Sequence, residues 1–196
     1  MPGAPKQFNC DTVLLKALEV FWAKGYEATS IQDLVDAMGV SRASMYDTFG
    51  NKRDLFLLAF KQYSQSSIEK VTQTLNADNA PLTNLRALLS MMTQGNEAGK
   101  HYGCFANNVA IELGPHDPEI AALVGQFWQQ IEALMGDALI SAAKANQLRN
   151  NTNIKLTAAL INSLMQGLVS MSKAGVDYQK QHAIIDELMM LLAPTS

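Results

Sequence analysis

One segment combines side chains that can read the edges of nucleic-acid bases: Ser41, Arg42, Ala43 and Ser44. It stands at the predicted start of a short helix, directly after a turn that contains Gly39. A guanidinium presents paired N–H donors that match the two acceptors of guanine in the major groove, and short side chains allow close approach. The chemistry predicted here is recognition by hydrogen bonds rather than bond making.

A second group of side chains is suited to the phosphate backbone: Thr29, Ser30, Tyr46 and Lys52. Thr29 and Ser30 begin the preceding helix, where hydroxyls and unpaired backbone N–H groups favour anions. Tyr46 shares the helix of Arg42, and Lys52 begins the helix that follows. Such contacts fix the position and register of a protein on the nucleic-acid duplex. The alternatives are solvated surface charges at Arg42 and Lys52 and partial core packing of Tyr46.

The elements that must position these residues are helices, because apolar residues recur at helical spacing almost everywhere and no convincing alternating strand is present. The pattern predicts an all-α protein. Three short helices, which begin near Asp11, at Thr29 or Ser30, and at Ser41, lead into a long helix from residue 51 to about residue 76. The second and third are separated by a glycine-containing turn, an arrangement that presents the third helix to the major groove.

Two stretches, Ala17 to Ile31 (ALEVFWAKGYEATSI) and Val40 to Phe56 (VSRASMYDTFGNKRDLF), closely resemble the N-terminal domain of the TetR (tetracycline-repressor-like) family. The resemblance covers about residues 13–60. It implies a helix-turn-helix DNA-binding domain in residues 1–50, a connecting helix in residues 51–76 and a ligand-sensing and dimerisation domain in residues 77–196. In that plan, the last two helices pair across a homodimer.

The function that the resemblance implies is a transcriptional repressor, which a small-molecule or reactive-electrophile inducer releases from a pseudo-palindromic double-stranded DNA operator. An activator with the same DNA-binding mode is an alternative. A helical-bundle enzyme is a weaker one, because Glu-x-x-His pairs and Gly-rich phosphate loops are missing and the three histidines are scattered. We expect no metal site and no cofactor.

The last two predicted helices are apolar over more of their surface than one core-facing stripe requires. This surplus predicts a two-fold interface, with simple burial in one chain as the alternative. Leu188 and Leu192, at i and i+4, are the residues that we expect to face outward.

A cavity among the middle helices is expected to admit the inducer, with Phe105, Phe127 and Met165 in its lining or, alternatively, in plain core. Cys104 begins a helix after a glycine break, where the positive helix end favours the thiolate. The segment resembles the Gly-Cys start of the sixth helix in a TetR subgroup that includes electrophile and oxidant sensors. Lys173 matches the lysine near that cysteine. The alternative is a buried thiol that only packs.

Composition limits the other possibilities. The formal net charge is -3, so any contact with nucleic acid must come from a local patch, and Lys6 is the one basic residue of the first ten. Two cysteines are too few for a disulfide framework or a four-ligand zinc site. No secretory signal is apparent and no apolar run approaches the length of a membrane span, so we expect a cytoplasmic protein without a membrane partner.

Overall fold

The computed structural model describes residues 9–78, 80–94 and 102–194, and these ranges contain nine α-helices and no strand. The helices are α1 (Cys10–Lys24), α2 (Ile31–Met38), α3 (Arg42–Phe49), α4 (Lys52–Leu75), α5 (Pro81–Met92), α6 (Phe105–Glu112), α7 (Pro118–Lys144), α8 (Ile154–Lys173) and α9 (Tyr178–Leu192). The predicted all-α class is confirmed. The chain forms two compact units, Met1–Ser66 and Ser67–Ser196, which divide within α4.

Side-chain caps set the helix starts in the first unit. The side chain of Asn9 accepts hydrogen bonds from the first turn of α1, so Asn9 is the cap and not Asp11 as the sequence suggested. Ser30 caps α2 and Ser41 caps α3. Between them, Gly39 adopts a left-handed conformation with φ +69°, which residues with a Cβ rarely adopt. These local signals hold α2 and α3 as two separate short helices.

The core of the first unit is aromatic and fixes the orientation of α3. Phe21 of α1 meets Phe56 of α4 edge to face, with ring centroids 5.2 Å apart. Met45 and Phe49, which lie four residues apart on α3, are buried at 0% and 6% exposure. Burial of side chains of this size stabilises the fold by roughly 1.5–3 kcal/mol each. The opposite face of α3 is therefore presented to solvent.

In the second unit, α7 carries the longest apolar stripe, in which these residues are buried: Ile120, Val124, Phe127, Ile131, Met135 and Leu139. Asp117 caps this helix and Pro118 occupies its first turn, as the sequence indicated. Helix α5 ends at Met92, earlier than the predicted end near residue 98, and residues 95–101 lie outside the described ranges.

The outward faces of α8 and α9 differ from the prediction. Leu188 and Leu192 are buried, at 7% and 6% exposure, on the stripe of α9 that packs into the chain's own core. The exposed apolar residues of the two helices are Leu156 (65%), Leu160 (62%), Met190 (62%) and Leu191 (55%). The predicted exposed apolar surface is therefore present. On α9, however, Met190 and Leu191 form it, and not Leu188 and Leu192.

Helix α8 is also the one helix in the described residues that is long and apolar enough to cross a membrane by length and composition alone. Its mean hydropathy over 18 residues is 1.2, and 33% of that window is buried. Asn162, Ser163 and Gln166 interrupt this helix, so it is not an unbroken apolar run. Much of its apolar surface remains uncovered within one chain.

Candidate nucleic-acid interface

The base-reading segment lies on the solvent face of α3. Ser41, Arg42 and Ala43 are exposed, and Tyr46 is 43% exposed, so it does not fill the core. Arg42 makes no ion pair within the part of the chain that the structure describes. Its guanidinium is therefore available to an external acceptor, on a helix that Met45 and Phe49 anchor.

The two serines of this segment have different roles. The backbone N–H of Ser44 donates to Ser41 Oγ at 3.1 Å, and Ser41 Oγ donates in turn to Ser44 Oγ at 2.9 Å. Ser41 thus uses its hydroxyl to cap α3. Ser44, which is partly exposed, keeps its own hydroxyl proton as a donor for an outside acceptor.

At the start of α2, Thr29 and Ser30 differ in their environments, although the sequence predicted the same role for both. Ser30 is exposed and forms a capping box with Asp33, in which the Ser30 N–H donates to Asp33 Oδ2 at 2.9 Å. Thr29 is 1% exposed, and its hydroxyl donates to the carbonyl oxygen of Gly25 at 2.5 Å. The backbone N–H of Thr29 is also bonded, to Tyr26 O. Thr29 therefore shapes the turn and cannot reach a phosphate in this conformation.

A salt bridge joins α1 to α2 beside this cap. Lys24 Nζ lies 2.6 Å from Asp33 Oδ1. This hydrogen bond from Lys24, together with those from Ser30, lowers the pKa of Asp33 to about 2. The carboxylate is ionised at neutral pH, and Lys24 compensates its charge within the first unit, which we call the head.

The start of α4 carries the predicted phosphate-binding lysine. Lys52 Nζ lies 3.4 Å from the carbonyl oxygen of Glu27 and 4.4 Å from the ring centroid of Tyr26. Asn51 caps α4, because its Oδ1 accepts from the N–H groups of Arg53 at 2.8 Å and Asp54 at 3.1 Å, and Asp54 Oδ2 accepts in return from the Asn51 N–H at 2.9 Å. The sequence reasoning did not single out Tyr26, although an aromatic residue after the glycine that ends α1 was visible.

Family comparisons agree with this geometry. Residues 13–59 match "Bacterial regulatory proteins, tetR family", and residues 81–187 match "Tetracyclin repressor-like, C-terminal domain". The chain belongs to the TetR family.

Two relatives illustrate this membership. The HTH-type transcriptional regulator YezE of Bacillus subtilis (strain 168) is 32% identical over 192 residues, which cover 97% of this chain and 99% of YezE. The HTH-type transcriptional repressor ComR of Escherichia coli (strain K12) is 26% identical and covers 91% and 86% of the two chains. This TetR-family chain is thus a helix-turn-helix transcriptional regulator and not an enzyme.

Solved structures share the TetR fold. A cysteine mutant of the TetR family transcriptional regulator CifR, in complex with 26-bp double-strand operator DNA, aligns with a TM-score of 0.84 and 22% identity over 97% of this chain and 100% of that one. The reduced form of E. coli NemR aligns with a TM-score of 0.85 and 14% identity over 95% and 97%.

In the C-terminal unit of this TetR-family chain, Lys173 and Cys104 lie on neighbouring elements. Lys173 Nζ donates to Asn108 Oδ1 at 2.9 Å, one turn into α6. The lysine stem covers Gly103, since a Cβ built there would lie 3.0 Å from Lys173 Cδ. Cys104 is the partly buried N-cap residue of α6. The structure therefore brings Lys173 against the residue that precedes the thiol.

The predicted cavity residues are buried or partly buried, and the alternative of plain core fits two of them. Phe105 and Phe127 are 1% and 5% exposed, and Met165 is partly buried. None of the three lines either described cavity. One cavity, of about 310 Å³, lies among the end of α4, the start of α5 and α7, and the other, of about 470 Å³, lies between the end of α5 and the α8–α9 turn.

Sequence reasoning missed the residues that line these cavities, among them the buried amides Asn84 and Gln181. Asn84 donates from Nδ2 to the carbonyl oxygens of Leu75 and Ala77 at 3.1 and 2.8 Å. A signal was available, because Asn84 and Leu88 lie four residues apart on one helix face. A polar residue on a core-facing stripe indicates a specific partner or ligand.

Proposed function

We propose that this TetR-family regulator is a cytoplasmic repressor whose homodimer binds a pseudo-palindromic operator through α3, without a cofactor. One observation carries the proposal: Met45 and Phe49 are buried and anchor α3, while Arg42 and Tyr46 of the same helix stand exposed to solvent. Repression is supported by ComR, a repressor that aligns with 91% of the chain. An activator would use the same surface.

A dimer is supported by the apolar residues that α8 and α9 leave exposed. Leu156, Leu160, Ser163 and Gly167 follow one face of α8 at helical spacing. A Cβ at Gly167 would meet nothing within 4 Å, so this part of the face is open. Small residues there allow close approach of a second copy. We therefore assign α8 and α9 to an isologous four-helix interface, with Leu160, Met190 and Leu191 in place of Leu188 and Leu192.

Binding to the DNA that flanks its own gene tests the proposal. We expect a protected pseudo-palindrome with two protomers bound, whose half-sites lie about 34 Å apart or one further helical turn away. Footprinting and titration at saturating DNA report the site and the stoichiometry. A protein that protects no sequence in preference to bulk DNA, at moderate salt, would contradict it.

For the inducer, we propose a reactive electrophile that modifies Cys104. A thiol at the start of α6 faces the positive end of the helix, and the Lys173 ammonium is held within the first turn by Asn108. A quinone would form a carbon–sulfur bond with the thiolate, while a ring oxygen takes up the electrons and a proton. The added bulk would separate α6 from the end of α8. A reversible ligand is the alternative.

Replacing Cys104 by serine tests this mechanism. Operator release by quinone, measured by fluorescence anisotropy, is expected in the wild type and in Cys10→Ser and is expected to be lost in Cys104→Ser. Lys173→Met should slow the modification of Cys104, because it removes the ammonium held beside the start of α6. Equal responses of wild type and Cys104→Ser, or none in either, would leave a reversible small-molecule inducer as the remaining hypothesis.

A further inference from the structure

We propose that Tyr26 is a positioning residue of the DNA-binding surface, whose ring holds the ammonium of Lys52 where it contacts a backbone phosphate. The inference rests on the proposed function, because it assigns a role in DNA binding. It concerns a residue outside the helix-turn-helix itself, in the turn between α1 and α2.

Packing against two buried rings holds the ring of Tyr26 in place, so that it can serve as a platform for Lys52. It stacks on Phe21, with centroids 6.1 Å apart and planes at 21°, and meets Phe56 nearly edge-on, with centroids 4.9 Å apart. Phe21 and Phe56 are each 1% exposed. The core of the head therefore sets the position of the Tyr26 ring, and solvent does not.

Lys52 rests on this platform through two contacts. Its Nζ lies 4.4 Å from the Tyr26 centroid, within the range in which a cation is attracted to an aromatic face. The same atom lies 3.4 Å from the carbonyl oxygen of Glu27. An ammonium has three N–H donors, so donors remain for an external acceptor. The side chain is held in one place while part of its binding capacity remains unused.

The charge of Lys52 is not explained by the stability of its own helix. Lys52 is the first residue of α4, where the helix end is already positive and a cation is unfavourable. Within the described residues, Lys52 makes no ion pair with a carboxylate. A phosphate bound at this point would interact favourably with both the ammonium and the positive helix end. These interactions would offset the unfavourable position of the Lys52 charge.

Positioning has a measurable consequence for affinity. A lysine in free solvent loses rotamer freedom when it binds, whereas a lysine held on a ring has lost much of that freedom beforehand. We expect Tyr26→Leu to weaken DNA binding about three- to tenfold, through a Lys52 that is still charged but no longer held. The loss should be equal for operator and unrelated DNA, because phosphates carry no sequence.

A double-mutant cycle tests this assignment by fluorescence anisotropy on full-length protein. The variants are Tyr26→Leu, Tyr26→Phe, Lys52→Met and the double variant Tyr26→Leu/Lys52→Met. Tyr63→Leu is the matched control, because Tyr63 packs edge to face on Trp22 in the same head, with centroids 5.2 Å apart, in a ring pair that does not include Lys52. Thermal unfolding shows how much of each protein is folded.

Three results would support the proposal: loss in Tyr26→Leu, near wild-type affinity in Tyr26→Phe, and no further loss when Tyr26→Leu is added to Lys52→Met. Tyr63→Leu should leave affinity unchanged at temperatures where it is folded. An equal loss in both Lys52 backgrounds would make Tyr26 merely structural and overturn the proposal. If Lys52→Met had no effect on DNA binding, the proposal would also be overturned. In that case, loss of operator binding in Arg42→Ala would show that the proposed function holds without the role assigned to Tyr26.

Discussion

Replacement of Arg42 by alanine is expected to weaken operator binding by about 1–3 kcal/mol and to relax the sequence preference at one position of each half-site. Arg42 is exposed, and Met45 and Phe49 anchor its helix without it, so its removal leaves the head folded. Anisotropy titrations with the operator, with single-base variants and with unrelated DNA would measure the loss and the preference.

Lys52→Met serves as the contrasting variant. It removes a phosphate contact, so we expect weaker binding to all sequences alike and a salt dependence reduced by about one ion. The two variants therefore separate reading of bases from attraction to the backbone. If both bound the operator like the wild type, the face formed by α3 and the start of α4 would not be the DNA-binding surface.

Much of this DNA-binding head was predictable because its determinants are local. Gly39 marks the turn, Ser41 caps α3, and Met45 and Phe49 are spaced to face the core. Each signal acts within a few residues, so the sequence shows it directly.

The difference between Thr29 and Ser30 was not predictable in the same way. Both are hydroxyl residues that can cap a helix, and only the path of the chain after Gly25 decides which one points inward. Tyr26 shows the same limit. Its contact with Lys52 joins residues that are distant in sequence, and no local pattern marks it.

The wrong assignment of Leu188 and Leu192 has a related cause. Helix α9 has apolar residues on more than one face, and periodicity identifies the faces without saying which packs on the chain's own core. The choice between cavity lining and plain core at Phe105 and Phe127 depends on a different property. Phe105 and Phe127 are almost completely buried and line neither described cavity. Whether such a residue borders a cavity depends on the volumes of all its neighbours.

Replacement of Leu160 by glutamate is expected to convert the dimer to a monomer and to reduce operator affinity about a thousandfold or more, to the level of non-specific binding. The residue is 62% exposed in one chain, so the substitution does not disturb the fold of the protomer. Because the interface is two-fold, the substitution occurs on both protomers, and two carboxylates would be buried there without partners. Light scattering at micromolar concentration would give the mass, and anisotropy the affinity.

Ile111→Glu is the matched control, because Ile111 is 77% exposed and belongs to α6, which is not one of the two helices of the proposed interface. This variant should remain a dimer and bind the operator normally. Leu188→Ala should behave in a third way, lowering the free energy of unfolding by roughly 2–5 kcal/mol through the cavity it leaves in the chain's own core. A wild-type protein that is monomeric, or a Leu160→Glu variant that stays dimeric, would contradict the interface. Dissociation by Ile111→Glu instead would place the two-fold contact on α6.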